Sequence, residues 1–453
     1  MLFYKYLTMN SFGYPYRVAE RDGLQRQLWL SQNDNSRISV VYGRHFLGKS
    51  ALVSDALTGQ DPVIFLSLGG KNEILALEEY KRHCARQLGV FVPRSIGSLE
   101  ELFSFLCDEA WKKTFSVVLD NFQEAPKRYP DFCQHLARKW RSEAKRTKMN
   151  LVLICGDETA AQDLILADDA PLKGLCATFK IEPLTIEFLR SLLPATAEPA
   201  DVLAFWLLTG GRPNAVRIAL QNEAVTKAQL LELFLQTDSP LANLCEKSLY
   251  SLLGKNSDTY LSILQLVACG VKSQAELEQR LGGMIIGGHL AKLENEYQML
   301  RKTRPLLSSP DSRGVVRYSL ADPSLALWFR LLYADGGTCA RATEVLDSYL
   351  KEDLRDFFIE KFTQEGVFTS VGSDWAASAR ISKKKPGKNE PAEKEPDGVD
   401  IVALKGKKAM IAAVCPNAAD FKKEPFFKQV DALKNGPLKG YSLDPRLFTL
   451  QDV

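Results

Sequence analysis

The sequence predicts an α/β fold: a parallel sheet covered by helices on both faces, continued by a helical segment and two smaller units. Three observations predict it. Between residues 37 and 184, short runs rich in Val, Ile and Leu alternate with stretches of helical periodicity, the pattern of strands joined by crossover helices. The first run passes through a glycine-bounded turn directly into a helix-forming stretch, where open parallel sheets hold ligands. From about residue 185 the strand signals cease and helices follow one another.

The first strand and its turn carry the most information. Residues 37–50 read Arg-Ile-Ser-Val-Val-Tyr-Gly-Arg-His-Phe-Leu-Gly-Lys-Ser, and the GxxxxGKS spacing is that of a P-loop. Gly43 and Gly48 permit backbone angles that other residues resist, so successive N–H groups can converge on one phosphate-sized hollow at a helix N-terminus. Lys49 then supplies charge to the β- and γ-phosphates, and the Ser50 hydroxyl supplies one ligand to Mg²⁺. His45 occupies a variable loop position, where a side chain is expected to point outward with no metal role. The helix continues through Ala51, Leu52, Val53, Ala56 and Leu57 to a terminating Gly59.

Residues 63–68 read as the second strand, and a helix from about 72 to 87 ends at Gly89. Ser98-Leu-Glu-Glu101 opens the next helix as a capping box. Strands at 115–119, 151–154 and 179–181 complete the sheet, with a basic helix after the first of them. That helix gathers Arg138, Lys139, Arg141, Lys145, Arg146 and Lys148 around Trp140, opposed by Glu143. A solvated face is the preferred reading over a contact with nucleic-acid phosphates.

Five segments follow from this pass: a lead-in at 1–36, a P-loop NTPase domain at 37–184, a helical lid at 185–250, a winged-helix domain at 251–335 and a last unit at 340–453. In the lid, Thr209-Gly-Gly-Arg-Pro213 ends one helix at Gly-Gly and opens the next at Pro213. Residues 251–335 give three short helices, strand-like pieces at 298–302 and 314–320 and an apolar run at 325–332, the order of a winged helix. Its third helix sets Lys292 against Glu294 and Glu296, a poor surface for DNA, so packing against the chain's own nucleotide domain is the expected use. The last unit reads as a helix around 354–362, strand-like pieces at 367–371, 400–404 and 408–414, a final helix and 447–450. Inside it, 382–397 mixes charge with proline, has no apolar residue larger than alanine, and is expected to be disordered.

Composition sets bounds on function. A chain of 453 residues with 45% apolar content can bury about three cores. No apolar run reaches the length of a membrane span and the opening Met-Leu-Phe-Tyr-Lys lacks the signal-peptide pattern, so a cytoplasmic location without a membrane partner is expected. Nine cysteines without paired spacing, several in apolar segments (Cys107, Cys155, Cys269), suggest reduced core thiols and give no zinc signature. A net charge of +3 is too small by itself to imply a nucleic-acid partner.

A P-loop enzyme also needs an apolar strand ending in an aspartate for Mg²⁺, usually followed by a glutamate that polarises the attacking water. Phe115-Ser-Val-Val-Leu-Asp-Asn-Phe-Gln-Glu124 places Asp120 at the strand tip and Asn121 after it. An amide orients water but cannot accept its proton, and losing a general base costs about 10² to 10⁴ in rate. Hydrolysis is therefore expected to be slow or absent. Glu124, one turn further along, is the candidate substitute base, weighed against a surface turn carboxylate. At the tip of the fourth strand, Gly156-Asp157 stands where a polar side chain can sense the γ-phosphate, although Asp157 would repel it unless it faces the metal.

In this order the motifs resemble those of the prokaryotic AAA-type ATPases often called archaeal ATPases, within the switch-type (STAND) group of NTPases, over nearly the whole chain. Tyr16-Arg-Val-Ala-Glu-Arg-Asp-Gly-Leu24 resembles the family's lead-in, which caps the adenine side. Arg44 holds the usual basic position of the P-loop, and Leu119-Asp-Asn-Phe-Gln123 matches the Asp-Glu-Phe-Gln motif except at Asn121. Thr209-Gly-Gly-Arg-Pro213 resembles the lid's Gly-Gly-x-Pro, and Tyr318-Ser-Leu-Ala-Asp-Pro with Leu325, Trp328, Phe329 and Arg330 resembles the signature that closes the winged helix. The tail is similar to a restriction-endonuclease-like domain, in which a helix glutamate, a strand aspartate and a Glu-Cys-Lys triplet gather Mg²⁺. Glu360 and Asp400 stand in the first two places, but the triplet reads Val414-Cys415-Pro416, so nuclease chemistry is not expected.

The resemblance implies ATP and Mg²⁺ as cofactors. Gly43, Arg44, Gly48, Lys49, Ser50, Ala51, Asp120 and Arg212 hold the nucleotide, Arg217 being the alternative from the lid, and Ser50 and Asp120 hold the metal. The function expected is an ATP-binding switch protein in which binding survives and catalysis, left to Asn121 and Glu124, is weak. A working ATPase driving conformational change and a DNA-associated regulatory or defence protein are the alternatives. Adenine nucleotide and either a protein partner or a second copy are the expected partners, nucleic acid entering only with the DNA-associated alternative.

Overall fold

The computed structural model describes residues 16–60, 62–70, 72–156, 158–254, 257–303, 316–333, 342–364, 366–372 and 398–452. Contacts divide the chain into two units, one reaching residue 184 and taking in 212–214, the other holding 185–211 and the chain from 215 onward. Asp157, Gly314 and the predicted loop 382–397 lie outside the described residues.

The first unit runs α1 (Val18–Asn33), β1 (Arg37–Tyr42), α2 (Lys49–Ala56), β2 (Val63–Ser67), α3 (Glu73–Leu88), α4 (Leu99–Glu109), β3 (Phe115–Asp120), α5 (Ala125–Arg128), α6 (Phe132–Glu143), β4 (Met149–Cys155), α7 (Glu158–Ala161) and β5 (Cys176–Lys180). The five strands form one parallel sheet in the order β2-β3-β4-β1-β5. Successive residues of β1, β3 and β4 serve opposite cores. Val40, Val117, Leu151 and Leu153 pack with α3, α4 and α6, whereas Val41, Val118, Val152 and Ile154 pack with α1 and α2. Burial on both faces is why these strands read as unbroken apolar runs. The parallel register sets Ser67 beside Asp120 and Tyr42 beside Cys155, so the chain leaves all these strands at one edge of the sheet.

Asn72 caps α3 by accepting the Ile74 N–H at 3.0 Å, and Gly89 ends it in the left-handed conformation. The capping box expected at α4 forms only in part. Ser98 accepts from Glu101 N (3.2 Å), but the Glu101 carboxylate reaches one residue past the cap to Gly97 N (2.7 Å). The basic helix is also shorter than expected: α6 stops at Glu143, Ala144–Arg146 tighten into a 3-10 turn, and Lys148 precedes β4. Ser36 N–H takes the Thr147 carbonyl at 2.8 Å, which draws the chain into β4 and off the helix axis.

The second unit begins with α8 (Ile186–Leu192), α9 (Pro199–Thr209), α10 (Pro213–Gln221), α11 (Lys227–Leu235) and α12 (Pro240–Leu253). Then come α13 (Asp258–Ala268), α14 (Gln274–Arg280), α15 (Gly287–Asn295) and an antiparallel pair, β6 (Leu300–Thr303) and β7 (Arg317–Leu320), closed by α16 (Pro323–Tyr333). Gly210 and Gly211 both take positive φ at the end of α9. A Cβ on Gly210 would lie 2.7 Å from Asp322 Oδ1, the oxygen that accepts from Ser324 N and Oγ to cap α16. Two separated motifs of the sequence thus meet in one contact.

The chain ends in α17 (Ala342–Gln364), β8 (Ser370–Gly372), β9 (Ile401–Lys405), β10 (Lys408–Val414), α18 (Lys423–Asn435) and β11 (Ser442–Phe448), whose strands form a sheet in the order β11-β10-β9-β8. Val402, Ile411 and Ala413 pack with Phe426, Val430 and Leu433 of α18. Phe358 of α17 stacks on Phe448 at 4.7 Å. The piece expected at 367–371 is a strand only from Ser370, and the piece expected at 447–450 is the end of a longer strand. That strand contains Pro445, tolerated because among the described residues β11 is an edge with one side unpaired. Cys107 and Cys155 are buried as expected, but Cys269 ends α13 and is exposed. Among the described residues no helix is long and apolar enough to cross a membrane.

Candidate nucleotide site

Where β1 ends, Gly43 turns the chain with φ 140°, and a Cβ there would stand 2.2 Å from the Ile181 carbonyl oxygen. No other residue fits this position. Gly48 precedes α2 with φ 81°, and Phe46 between them also takes positive φ (66°). The loop therefore curls over the start of α2, where unpaired helix N–H groups collect.

Lys49 is buried, and its Nζ donates to the carbonyls of Gly43 (2.7 Å) and Arg44 (2.6 Å). Ser50 Oγ donates to Asp120 Oδ2 at 2.9 Å, joining the first turn of α2 to the tip of β3. The other carboxylate oxygen accepts from Asn121 N (2.9 Å). Asn121 sits in the left-handed region (φ 56°), and its side-chain Nδ2 donates to Ser67 Oγ at the tip of β2 (3.0 Å). Gln123 Oε1 accepts from Gly156 N at 2.8 Å and so bridges the ends of β3 and β4.

These elements surround a cavity of about 240 Å³. Its wall takes in Gly48, Lys49, Ser50, Ala51, Asp120 and Asn121 from the expected set, along with His45, Phe46, Ile154 and Gly156. Gly43 and Arg44 build the loop without lining the cavity. Glu124 closes the 3-10 turn after Asn121 and is not part of the wall. Arg212, which is buried, groups with the first unit although its sequence neighbours before 212 belong to the second; Arg217 belongs to the second.

His45 departs from expectation. Its ring turns inward, where burial first and the Lys49 charge second pull its pKa down to about 4. The imidazole is therefore neutral at pH 7. No sequence signal marked it, because the space it fills exists only once β1 and β4 lie side by side.

No family model matches the chain. Over 323 residues, 70% of this chain and 68% of the relative, it is 22% identical to an uncharacterized protein of Methanocaldococcus jannaschii. Among solved structures it is similar to a Walker-type ATPase of Pyrococcus abyssi (18% identity, 71% of this chain and 96% of that one, TM-score 0.48). It is also similar to the ORC2 protein of Aeropyrum pernix in its ADPNP-ADP complexes (14% identity, 77% and 97% coverage, TM-score 0.47). The fold assignment rests on the strand order and the place of the glycine-bounded loop.

Two other candidate regions are differently built. On the basic helix, Lys139 pairs with Glu143 at 2.9 Å, Arg141 donates to the Pro171 carbonyl at 3.0 Å and Trp140 is buried, which leaves a partly neutralised, solvated face. At the start of β9, Asp400 accepts from Val414 N at 2.7 Å. Burial opposes the charge of Arg355 on α17, yet Asp356, Glu352 and Asp400 together raise its pKa. The Asp400 carboxylate is thus engaged by a backbone N–H and a nearby cation, and Val414 brings no ligating atom. Among the described residues no group of three His, Cys, Asp or Glu could hold a metal ion.

Proposed function

We propose that this chain is an ATP-binding switch protein of the AAA-type, archaeal-ATPase group, with slow or absent hydrolysis and a C-terminal nuclease-like unit that does not cut. The observation that carries this reading is the 2.9 Å bond between Ser50 and Asp120 beside the loop framed by Gly43 and Gly48. A hydroxyl from the loop helix and a carboxylate from the next-but-one strand converge on one cavity, the pairing that a magnesium-bound triphosphate needs.

The residues fit that ligand. Gly43, which has no room for a Cβ against Ile181, sets the turn that brings the loop over the start of α2, and Lys49 brings a buried ammonium to the hollow. Ser50 Oγ and Asp120 would hold Mg²⁺, the hard oxygen donors this cation takes alongside water and phosphate. When bound, Mg²⁺ would neutralise charge between the outer phosphates. Gly48 and Ala51 at the start of α2 and the Lys49 ammonium would hold the phosphates, with Arg44 and Arg212 as the further cations of the site. The reaction groups are weaker: the Asn121 amide is engaged with Ser67, and Glu124 does not line the cavity. Binding without fast turnover suits a switch, in which nucleotide selects one arrangement of the chain.

Calorimetric titration of the full chain with MgATP and MgADP tests the reading, with phosphate release followed in parallel. Binding heat, thermal stabilisation by ATP and slow release are expected. Folded protein that gives neither heat nor a thermal shift with adenine or guanine nucleotides would overturn it.

A further inference from the structure

Building on that nucleotide-binding reading, we infer that His45 is the group by which this cavity distinguishes a triphosphate from a diphosphate. Gly156 follows β4 at the place where a polar side chain could face the terminal phosphate, and glycine brings none. That space is filled from elsewhere in the chain. A Cβ on Gly156 would lie 2.4 Å from His45 Cε1, 2.6 Å from His45 Nε2 and 2.8 Å from Gln123 Nε2. The imidazole of the phosphate loop is folded over the end of β4, and Gln123 fixes the backbone beneath it by accepting the Gly156 N–H.

The other side-chain donors of the wall have partners in the structure, and two of them, Lys49 and Ser50, are the groups assigned above to the phosphates and Mg²⁺. Lys49 donates to two carbonyls, Ser50 to Asp120 and Asn121 to Ser67, while Asp120 can only accept. Among the described residues the His45 ring makes no hydrogen bond, yet it lines the cavity. Desolvation keeps it neutral beside Lys49, so it presents one N–H donor without adding a second buried cation. A terminal phosphate is rich in acceptor oxygens and matches that donor, whereas a diphosphate held by the loop and Lys49 has no third phosphate to offer it.

The test is calorimetry of MgATP and MgADP binding to the full-length protein. His45→Ala is expected to weaken ATP binding by about tenfold or more and ADP binding by less than about threefold. His45→Gln, which keeps an N–H donor, is expected to recover part of the ATP affinity. Gly156→Ala leaves the histidine in the sequence but displaces its ring, and the same selective loss is expected. If His45→Ala does not fold, Gly156→Ala and His45→Gln carry the comparison. Variants that keep the wild-type ATP-to-ADP ratio, or lose both affinities equally, overturn the inference. Wild-type protein that binds neither nucleotide removes the underlying reading and the inference with it.

Discussion

Replacing Lys49 by methionine separates the structural from the ligand-binding part of the loop. The side chain is 7% exposed, and its ammonium donates to the carbonyls of Gly43 (2.7 Å) and Arg44 (2.6 Å). Methionine preserves the packing of the stem and removes the charge. The Arg44 carbonyl is part-buried and can take water, while the buried Gly43 carbonyl loses a partner, so without nucleotide the variant should be less stable by about 2 kcal/mol. In a unit of this size that is a fall of about 4–8 °C in melting temperature. With nucleotide, losing a charge-assisted contact of about 1.5–3 kcal/mol should weaken ATP binding roughly ten- to a hundredfold. Thermal denaturation with and without MgATP reads both effects. At a hundred times the wild-type Kd, ATP should stabilise the wild type by about 2.7 kcal/mol and the variant by only about 0.4–1.4 kcal/mol. A variant that melts lower but gains as much from ATP as the wild type would refute the phosphate role and leave Lys49 a purely structural residue.

Three further outcomes are expected. Gly43→Ala should destabilise by about 2–4 kcal/mol through overpacking and positive φ, measured by denaturant unfolding; full stability would mean that the Ile181 carbonyl yields without cost. Asn121→Glu should raise phosphate release at least about tenfold by restoring a proton acceptor, and a variant no faster than wild type would place the defect elsewhere. His45 titrates at about 4 when folded against the usual 6.5, so the unfolded chain binds more protons between these values and nucleotide-free stability should fall by an amount on the order of 3 kcal/mol from pH 7 to pH 4. Identical pH profiles for wild type and His45→Gln would remove that effect.

Strands β1, β3 and β4 are legible because they are buried on both faces and leave apolar runs that periodicity detects, whereas β5 is only half-buried and the sequence shows just its end; the loop is legible because Gly43 can only be glycine and Gly48 takes positive φ. Asn72, Gly89 and Gly210 marked helix ends for the same reason, each serving a backbone need that few residues meet. The failures are tertiary. Glu101 reaching Gly97, and the pull of Ser36 on Thr147 that ends α6, depend on which groups happen to face each other after folding. The sequence shows only the end of β11, since Pro445 argues against a strand until its place at an edge is known. The inward turn of His45 is invisible in the sequence because loop spacing says nothing about an empty volume created by a glycine far along the chain.

The close seat of Gly43 on the Ile181 carbonyl has a mechanical consequence. Ile181 N–H is bonded to the Tyr42 carbonyl at 2.7 Å, and the chain passes into the second unit only a few residues later. A displacement of the main chain at Ile181 would therefore bear directly on the turn at Gly43 through main-chain atoms alone. Such a contact is indifferent to which side chain stands at 181, so it would survive drift in sequence that erased every recognisable motif around that residue.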